Sequence, residues 1–96
     1  MSERIVYIDG QFLPESQAKI SIYDASVMQA AAAFEMTRSF NGVHFKLREH
    51  LARLDASCRL LRIPRPCAVA EIENYCYEVS DANDHGPGEE HRLLIV

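Results

Sequence analysis

Residues 24–57, DASVMQAAAAFEMTRSFNGVHFKLREHLARLDAS, contain the hairpin and the helix on which the rest of the fold depends. From Phe34 to Phe40 the side chains alternate with a period of two, which is typical of a strand. Asn41-Gly42 follows, and this dipeptide is a strong hairpin signal because both turn positions must accept a positive φ. The alternation resumes at Val43, so the segment predicts two antiparallel strands joined by a tight turn.

Two helices and a further strand are predicted after this hairpin. The first helix runs from residue 47 to 63, and its apolar residues recur every three or four positions. This stripe consists of Leu47, Leu51, Leu54, Cys58 and Leu61. Pro64 and Pro66 end the helix. The pattern then predicts a second helix over 68–79 and an apolar strand over 93–96.

The residues before this segment predict a second hairpin. Alternation on both sides of Asp9-Gly10 indicates two short strands, again with residues that a two-residue turn prefers. Alternation over 18–22 predicts a third short strand. Asp24 is a candidate N-cap, and the alanine run that follows favours a helix over 25–32.

Composition bounds the class of protein. The chain has 96 residues, enough for one small domain with one modest core. A net charge of -4 argues against nucleic-acid binding, and there is no apolar run of the ~18 residues that span a membrane. We therefore expect a soluble, cytoplasmic protein. Three cysteines without a C-x-x-C pair and four scattered histidines favour neither a disulfide framework nor a metal site.

Three polar residues share one flank of the first helix. At ~100° per residue, His50, Arg53 and Ser57 lie together beside the leucine stripe. An arginine in this position could bind a phosphate bidentately. The alternative is a solvated flank with local ion pairs, and periodicity alone favours that alternative.

The F-E-x-x-R pattern, Phe34 to Arg38, also has two interpretations. In the first it is part of an amphipathic hairpin, with Phe34 in the core and Arg38 extending along an edge. Arg38 would then be structural and would pair with Glu35 or Glu49. The second interpretation comes from a family resemblance.

The combination of F-E-x-x-R, F-N-G and E-H-x-x-R-L-x-x-S resembles the class IV (fold-type IV) aminotransferases. This pyridoxal-phosphate family includes branched-chain and D-amino-acid aminotransferases and aminodeoxychorismate lyase. The resemblance implies an α+β fold, with a mainly antiparallel sheet and two helices packed on one side. It also implies that residues 1–96 are the small N-terminal domain, ending before the large catalytic domain.

The resemblance assigns roles to individual residues. Arg53 would bind the phosphate of pyridoxal 5'-phosphate, and His50 and Ser57 would orient its helix. Phe34 would line the substrate pocket. Gln29 and the alanines at 30–33 replace an aromatic residue and glycines of the family pattern. Because alanine rarely reaches positive φ, we expect either a different turn or an altered substrate specificity here.

The function implied is transfer of an amino group between a branched-chain-like amino acid and a 2-oxo acid, in a homodimer. A lyase acting on aminodeoxychorismate is one alternative. The other is a non-catalytic fragment or interaction domain, because neither Lys19 nor Lys46 matches the family's Schiff-base lysine. No residue of this chain is therefore predicted to be catalytic.

Overall fold

The computed structural model describes residues 3–40, 43–83 and 91–96. Within these ranges the strands are β1 (Ile5–Ile8), β2 (Gln11–Pro14), β3 (Glu35–Phe40), β4 (Val43–His44) and β5 (Arg92–Ile95). The helices are α1 (Ala25–Met28), α2 (Leu47–Leu61) and α3 (Val69–Ala82), and a 3-10 turn (Glu15–Gln17) follows β2. All strand pairs of the described residues are antiparallel. The predicted α+β class is confirmed.

The N-terminal hairpin forms as predicted. Asp9 and Gly10 have φ values of 51° and 77°, as a turn with positive φ at both central positions requires. The hairpin is fastened to α3 rather than to the second sheet. Stacked rings of Tyr7 and Tyr75, with centroids 4.3 Å apart, make one contact, and the side chain of Asn83 makes another.

The second sheet has the strand order β4-β3-β5. The predicted turn at Asn41-Gly42 lies outside the described residues, but the strands on either side of it pair, with Phe40 opposite Val43. The C-terminal strand occupies 92–95, one residue earlier than predicted, and pairs with β3 from Arg38 to Glu35. Strand β3 is therefore the central strand of this sheet, and it pairs with β4, which follows it directly, and with β5 near the end of the chain.

The core lies between α2, α3 and this sheet. Its buried members are Leu47, Leu51, Leu54 and Cys76. Ala33, Cys58, Val69, Ile72, Leu93 and Ile95 pack against them while partly buried. The leucine stripe of α2 is therefore confirmed for most of its length. Leu61 is exposed, because α2 ends at this residue and Arg62 turns the chain away with a φ of 58°.

Two local predictions were wrong. Residues 18–22 do not form a strand, and both Ile20 and Ile22 are exposed, because the chain turns at Ser21 to Asp24 without meeting a partner strand. The predicted helix over 25–32 ends at Met28. Its N-cap is correct, since Asp24 accepts a hydrogen bond from the amide of Ser26.

Helix α1 is short because Ala30 adopts a left-handed conformation, with a φ of 53°. A left-handed residue cannot continue a right-handed helix, so this one backbone angle overrides the helix propensity of the alanine run. From the sequence, alanines in place of the family's glycines are expected to reach a positive φ only rarely at this turn. Alanine does occupy that region here, although it is a conformation that glycine adopts with less strain.

Candidate anion-binding site

The site begins with the alternation of β3. Glu35, Thr37 and Ser39 are buried, whereas the side chains between them are exposed. The polar face of the strand is thus the inner face, and the interpretation that placed Phe34 in the core was wrong, because Phe34 is 67% exposed. Adjacent residues of an extended chain point to opposite sides, so burying Glu35 turns Phe34 outward.

Each inward polar side chain of β3 has a partner. Thr37 donates its hydroxyl to the carbonyl of Phe45 at 2.9 Å, and Ser39 accepts the amide of His91 at 2.9 Å. Glu35 has two partners from α2, the guanidinium of Arg53 and the imidazole of His50. A buried polar group is tolerated when it is hydrogen-bonded, so these contacts explain why a strand can present its polar face to the interior.

Helix α2 supplies the partners of Glu35. Arg53 donates from Nε to Oε2 at 2.8 Å and from Nη2 to Oε1 at 2.7 Å. His50, one turn earlier, places Nδ1 at 2.9 Å from Oε1. Positions 50 and 53 lie on the same side of the helix, as the periodicity predicted, and that side meets the beginning of β3.

The burial of these three side chains is graded. The side chain of Glu35 is 7% exposed, that of His50 is 23% exposed and that of Arg53 is 68% exposed. The carboxylate therefore lies at the bottom of the cluster and the guanidinium at the surface. An ion pair with one buried member is screened less by solvent than an exposed pair.

The electrostatics follow from these contacts. The hydrogen bonds from Arg53, followed by the contact with His50, lower the pKa of Glu35 from 4.5 to about 2, against the opposing effect of burial. The same hydrogen bonds to Glu35 raise the pKa of Arg53 above its ordinary value. Glu35 is therefore ionised and Arg53 is charged at neutral pH, so their contact is an ion pair.

Arg53 still has hydrogen-bonding capacity. Glu35 takes the Nε edge of the guanidinium, which leaves Nη1 and the second Nη2 hydrogen on the terminal edge. Among the residues that the structure describes, Nη1 has no hydrogen-bond partner. Arg53 lines a small groove of about 240 Å³ together with Lys46, Glu49 and His50. An exposed, oriented guanidinium edge beside a groove is suited to binding an oxyanion.

A larger, open cleft of about 1080 Å³ lies along the other side of α2. Its lining includes core side chains such as Leu51 and Cys76, and much of it is apolar. We place the candidate site in the smaller groove because that groove contains the oriented arginine. Size alone does not identify a site, whereas converging charged donors indicate a ligand.

The structure brings only some of the predicted residues together. His50 and Arg53 meet at Glu35, but Ser57 is half-buried and does not line their groove. Phe34 is exposed on the other side of β3 and does not line it either. Its assignment to a substrate pocket stays a prediction. Arg38 lies with its guanidinium carbon 5.4 Å from the ring centre of Phe40.

Sequence reasoning missed the role of Glu35, which was considered only as a partner of Arg38. The actual partner is Arg53, 18 residues away. A signal was available in the alternation, which places Glu35 on the face shared with Thr37 and Ser39. This alternation predicts the contact between Glu35 and Arg53 only if the polar face of β3 is known to pack against α2.

The described residues contain no group of three or more His, Cys, Asp or Glu side chains arranged to hold a metal ion. The three cysteines are free thiols, and burial, the larger cause, raises the pKa of Cys76 to about 11. Over the part of the chain that the structure covers, no helix has the length and apolar character of a membrane span.

Comparison with known proteins identifies the family. Residues 32–96 match the family model described as amino-transferase class IV, so the chain belongs to the class IV aminotransferases. It is 33% identical over 79 residues to a protein assigned as a branched-chain-amino-acid aminotransferase in Methanocaldococcus jannaschii, covering 82% of this chain and 27% of that protein. It is 29% identical over 83 residues to the D-alanine aminotransferase of Bacillus licheniformis, covering 86% and 29%.

Solved structures confirm the fold. The branched-chain aminotransferase of Thermoproteus uzoniensis matches with a TM-score of 0.87 and 24% identity, over 97% of this chain and 32% of that chain. A second branched-chain amino acid aminotransferase, from T.th. and with pyridoxamine 5'-phosphate, matches with a TM-score of 0.83 and 26% identity, over 98% and 32%. The chain thus spans less than a third of the length of these curated relatives and about a third of these solved structures.

Proposed function

We propose that Arg53 binds the phosphate group of pyridoxal 5'-phosphate in an aminotransferase of which this chain forms the small domain. The observation that supports this proposal is the guanidinium of Arg53, held by Glu35 along one edge and exposed along the other. The exposed edge offers parallel N–H donors, which fit two oxygens of a phosphate. The donor set therefore suits the anionic end of the cofactor.

The relatives support the choice of cofactor and of reaction. One of the solved structures is a branched-chain aminotransferase with pyridoxamine 5'-phosphate, and the first of the curated relatives is assigned to the same activity. Bound pyridoxal phosphate would supply the electron sink that amino-group transfer requires. We propose that the substrates are a branched-chain amino acid and a 2-oxo acid, and that the enzyme is a cytoplasmic homodimer.

Within this enzyme the chain would position the cofactor and would not supply the covalent lysine. Lys19 is exposed in the segment between β2 and α1. Lys46 precedes α2 and lies with Nζ 5.4 Å from the ring centre of Phe45. Pyridoxal phosphate also needs an amine that is held against its aldehyde. The proposed division of roles gives phosphate binding to Arg53 and part of the substrate side to Phe34.

The test is a titration of the 96-residue protein, followed by NMR of the arginine Nε–H groups. Three probes are compared: inorganic phosphate, pyridoxamine 5'-phosphate and pyridoxamine. Pyridoxamine 5'-phosphate has no aldehyde, so it cannot react with the two lysines. We expect both phosphates to shift the Arg53 resonance in a saturable way and pyridoxamine to leave it unchanged.

The matched variants are Arg53→Ala and Arg59→Ala. Arg59 is also an exposed arginine of α2 paired with a carboxylate, Asp55, at 3.0 Å, but it does not line the groove. Arg53→Ala should weaken phosphate binding about tenfold or more, because charge-assisted contacts are the strong ones. Arg59→Ala should retain it. Equal effects of the two substitutions, or equal binding of pyridoxamine, would contradict the proposal.

A further inference from the structure

We infer that Glu35 is a positioning residue, which orients Arg53 for the phosphate and so raises phosphate affinity although it is itself negatively charged. This inference rests on the proposed function of Arg53. Its basis is the geometry of the pair. Glu35 contacts Arg53 through Nε and Nη2, the side edge of the guanidinium, and not through the two terminal nitrogens.

The side-edge geometry has a direct consequence for binding. A carboxylate on the terminal edge would occupy the donors that a second oxyanion needs. A carboxylate on the Nε edge leaves Nη1 and one Nη2 hydrogen, which point together away from Glu35 because the guanidinium is planar. The contact therefore selects which edge of Arg53 is available and fixes its plane.

Glu35 can fix this plane because it is itself fixed. Its side chain is buried to 7% exposure on a strand that is paired on its other side with β5, with Glu35 opposite Ile95. His50 contacts the same Oε1 that accepts from Nη2, at 2.9 Å. Two elements, β3 and α2, thus hold the carboxylate, whereas the arginine is 68% exposed and would otherwise sample many rotamers.

The negative charge of Glu35 and its positioning of Arg53 predict opposite changes in phosphate affinity when Glu35 is replaced. If only Coulomb energy mattered, Glu35→Gln would remove a negative charge beside the site and tighten phosphate binding. If positioning dominates, the same change weakens binding, because Arg53 must then be ordered when the phosphate binds. The sign of the change in affinity therefore distinguishes the two effects.

The matched control is Asp55→Asn. Asp55 is also a mostly buried carboxylate, 15% exposed, held by two arginines, Arg59 at 3.0 Å and Arg65 at 2.7 Å. The two substitutions change the net charge equally, and each breaks an ion cluster in which one carboxylate has two partners. Only Glu35 contacts Arg53 among the carboxylates that the structure describes.

The experiment measures the dissociation constant of inorganic phosphate for the wild-type chain and the two variants by NMR titration. We expect Glu35→Gln to weaken binding roughly three- to tenfold, the effect of ordering one long side chain, and Asp55→Asn to leave it unchanged. Tighter or unchanged binding in Glu35→Gln would overturn the inference. If Arg53→Ala also leaves the phosphate dissociation constant unchanged, the proposed function fails as well. If Arg53→Ala weakens phosphate binding and Glu35→Gln does not, only the positioning role of Glu35 fails.

A second measurement does not depend on the folding of a variant. Nitrogen-15 relaxation of the wild-type chain, without added phosphate, reports the order of each arginine Nε–H bond. We expect Arg53 to be ordered like the backbone, and Arg48, whose side chain is 83% exposed with contacts of 3.3 Å to Glu73, to be mobile. A mobile Nε–H at Arg53 would overturn the inference, since an unordered side chain is not positioned.

Discussion

Glu35 holds Arg53 along the Nε edge of its guanidinium, at 2.8 Å and 2.7 Å, and leaves the terminal edge facing away from the protein's interior carboxylate. The contact joins β3 to α2 across 18 residues of sequence. It explains how Glu35 can be buried at the start of β3 and why the guanidinium of Arg53 is oriented beside a small groove. Structure and proposed binding thus depend on the same pair.

The left-handed conformation of Ala30 predicts that glycine would be more stable at this position. An L-residue in this region is strained by roughly 1–2 kcal/mol, and this exceeds the ~0.4–1 kcal/mol by which glycine gains entropy in the unfolded chain. We expect Ala30→Gly to raise the free energy of unfolding by up to about 1 kcal/mol in urea denaturation. Ala31→Gly is the control, because Ala31 is exposed but has no positive φ, and it should not stabilise. Equal effects would show that Ala30 is not strained.

Asn83 should contribute measurably to stability, because its amide joins α3 to β1. It accepts from the amide of Ile5 at 2.8 Å and donates to the carbonyls of Ile5 and Val79, each at 2.8 Å. Asn83→Ala should lower the free energy of unfolding by about 1–3 kcal/mol, since it leaves partly buried backbone groups unpaired. Asn74→Ala, within α3 and without these contacts to β1, should change stability less. Hydrogen exchange should show the loss of protection in β1 and β2.

Stability should fall as the pH is lowered, in two steps. Burial, followed by the nearby His91, lowers the pKa of His44, so the unfolded chain binds this proton more readily and stability falls below pH 6.5, its ordinary pKa. Glu35 has a pKa of about 2 against an ordinary 4.5, so its contribution is present above pH 4.5 and is lost as the pH falls towards 2.

The first step can be assigned by substitution. The groups facing His44 are Tyr77, with ring centres 5.6 Å apart, Asp81, His91 and Ser39 on the paired strand. His44→Gln should reduce the difference between the unfolding free energies measured in urea at about pH 7.5 and about pH 5.5, on either side of the ordinary histidine pKa. A difference as large as in the wild-type chain would assign the first step to another group.

Reductive labelling tests whether this chain lacks the covalent lysine. Treatment with pyridoxal phosphate and borohydride should give no single stoichiometric adduct, because Lys19 is exposed and no contact described for Lys46 holds its amine for an aldehyde. Mass spectrometry of the peptides should show low, comparable labelling at both. Selective, stoichiometric labelling of either lysine would contradict the proposed division of roles.

The parts of the fold that were predictable depend on short-range signals. Asp9-Gly10 and the leucine spacing of α2 identified their elements because neighbouring residues carry the whole pattern. Helix spacing also placed Arg53 on one flank of α2 with His50, but that spacing alone favoured a solvated flank, and the family resemblance singled out the arginine. Failures arose where a distant contact or a single backbone angle decided the outcome. Residues 18–22 alternate but have no strand partner, and Ala30 ends a helix that its composition favours.

The inner face of β3 is the most instructive failure. Phe34 is larger and more apolar than Glu35, so local hydrophobicity predicts that the phenylalanine is buried. The structure instead buries Glu35, because Arg53 neutralises its charge and both Arg53 and His50 contact its carboxylate within hydrogen-bonding distance. The sequence contains all three residues, but nothing within the strand itself indicates that its partners lie on the next helix.

The most direct measurement of the central claim is the shift of the Arg53 Nε–H resonance as pyridoxamine 5'-phosphate is added to the 96-residue chain. We expect saturable movement of this resonance, competition by inorganic phosphate, and no response to pyridoxamine. A resonance that does not move, while another arginine such as Arg59 or Arg65 does, would show that the phosphate binds elsewhere and that Arg53 serves only to hold Glu35.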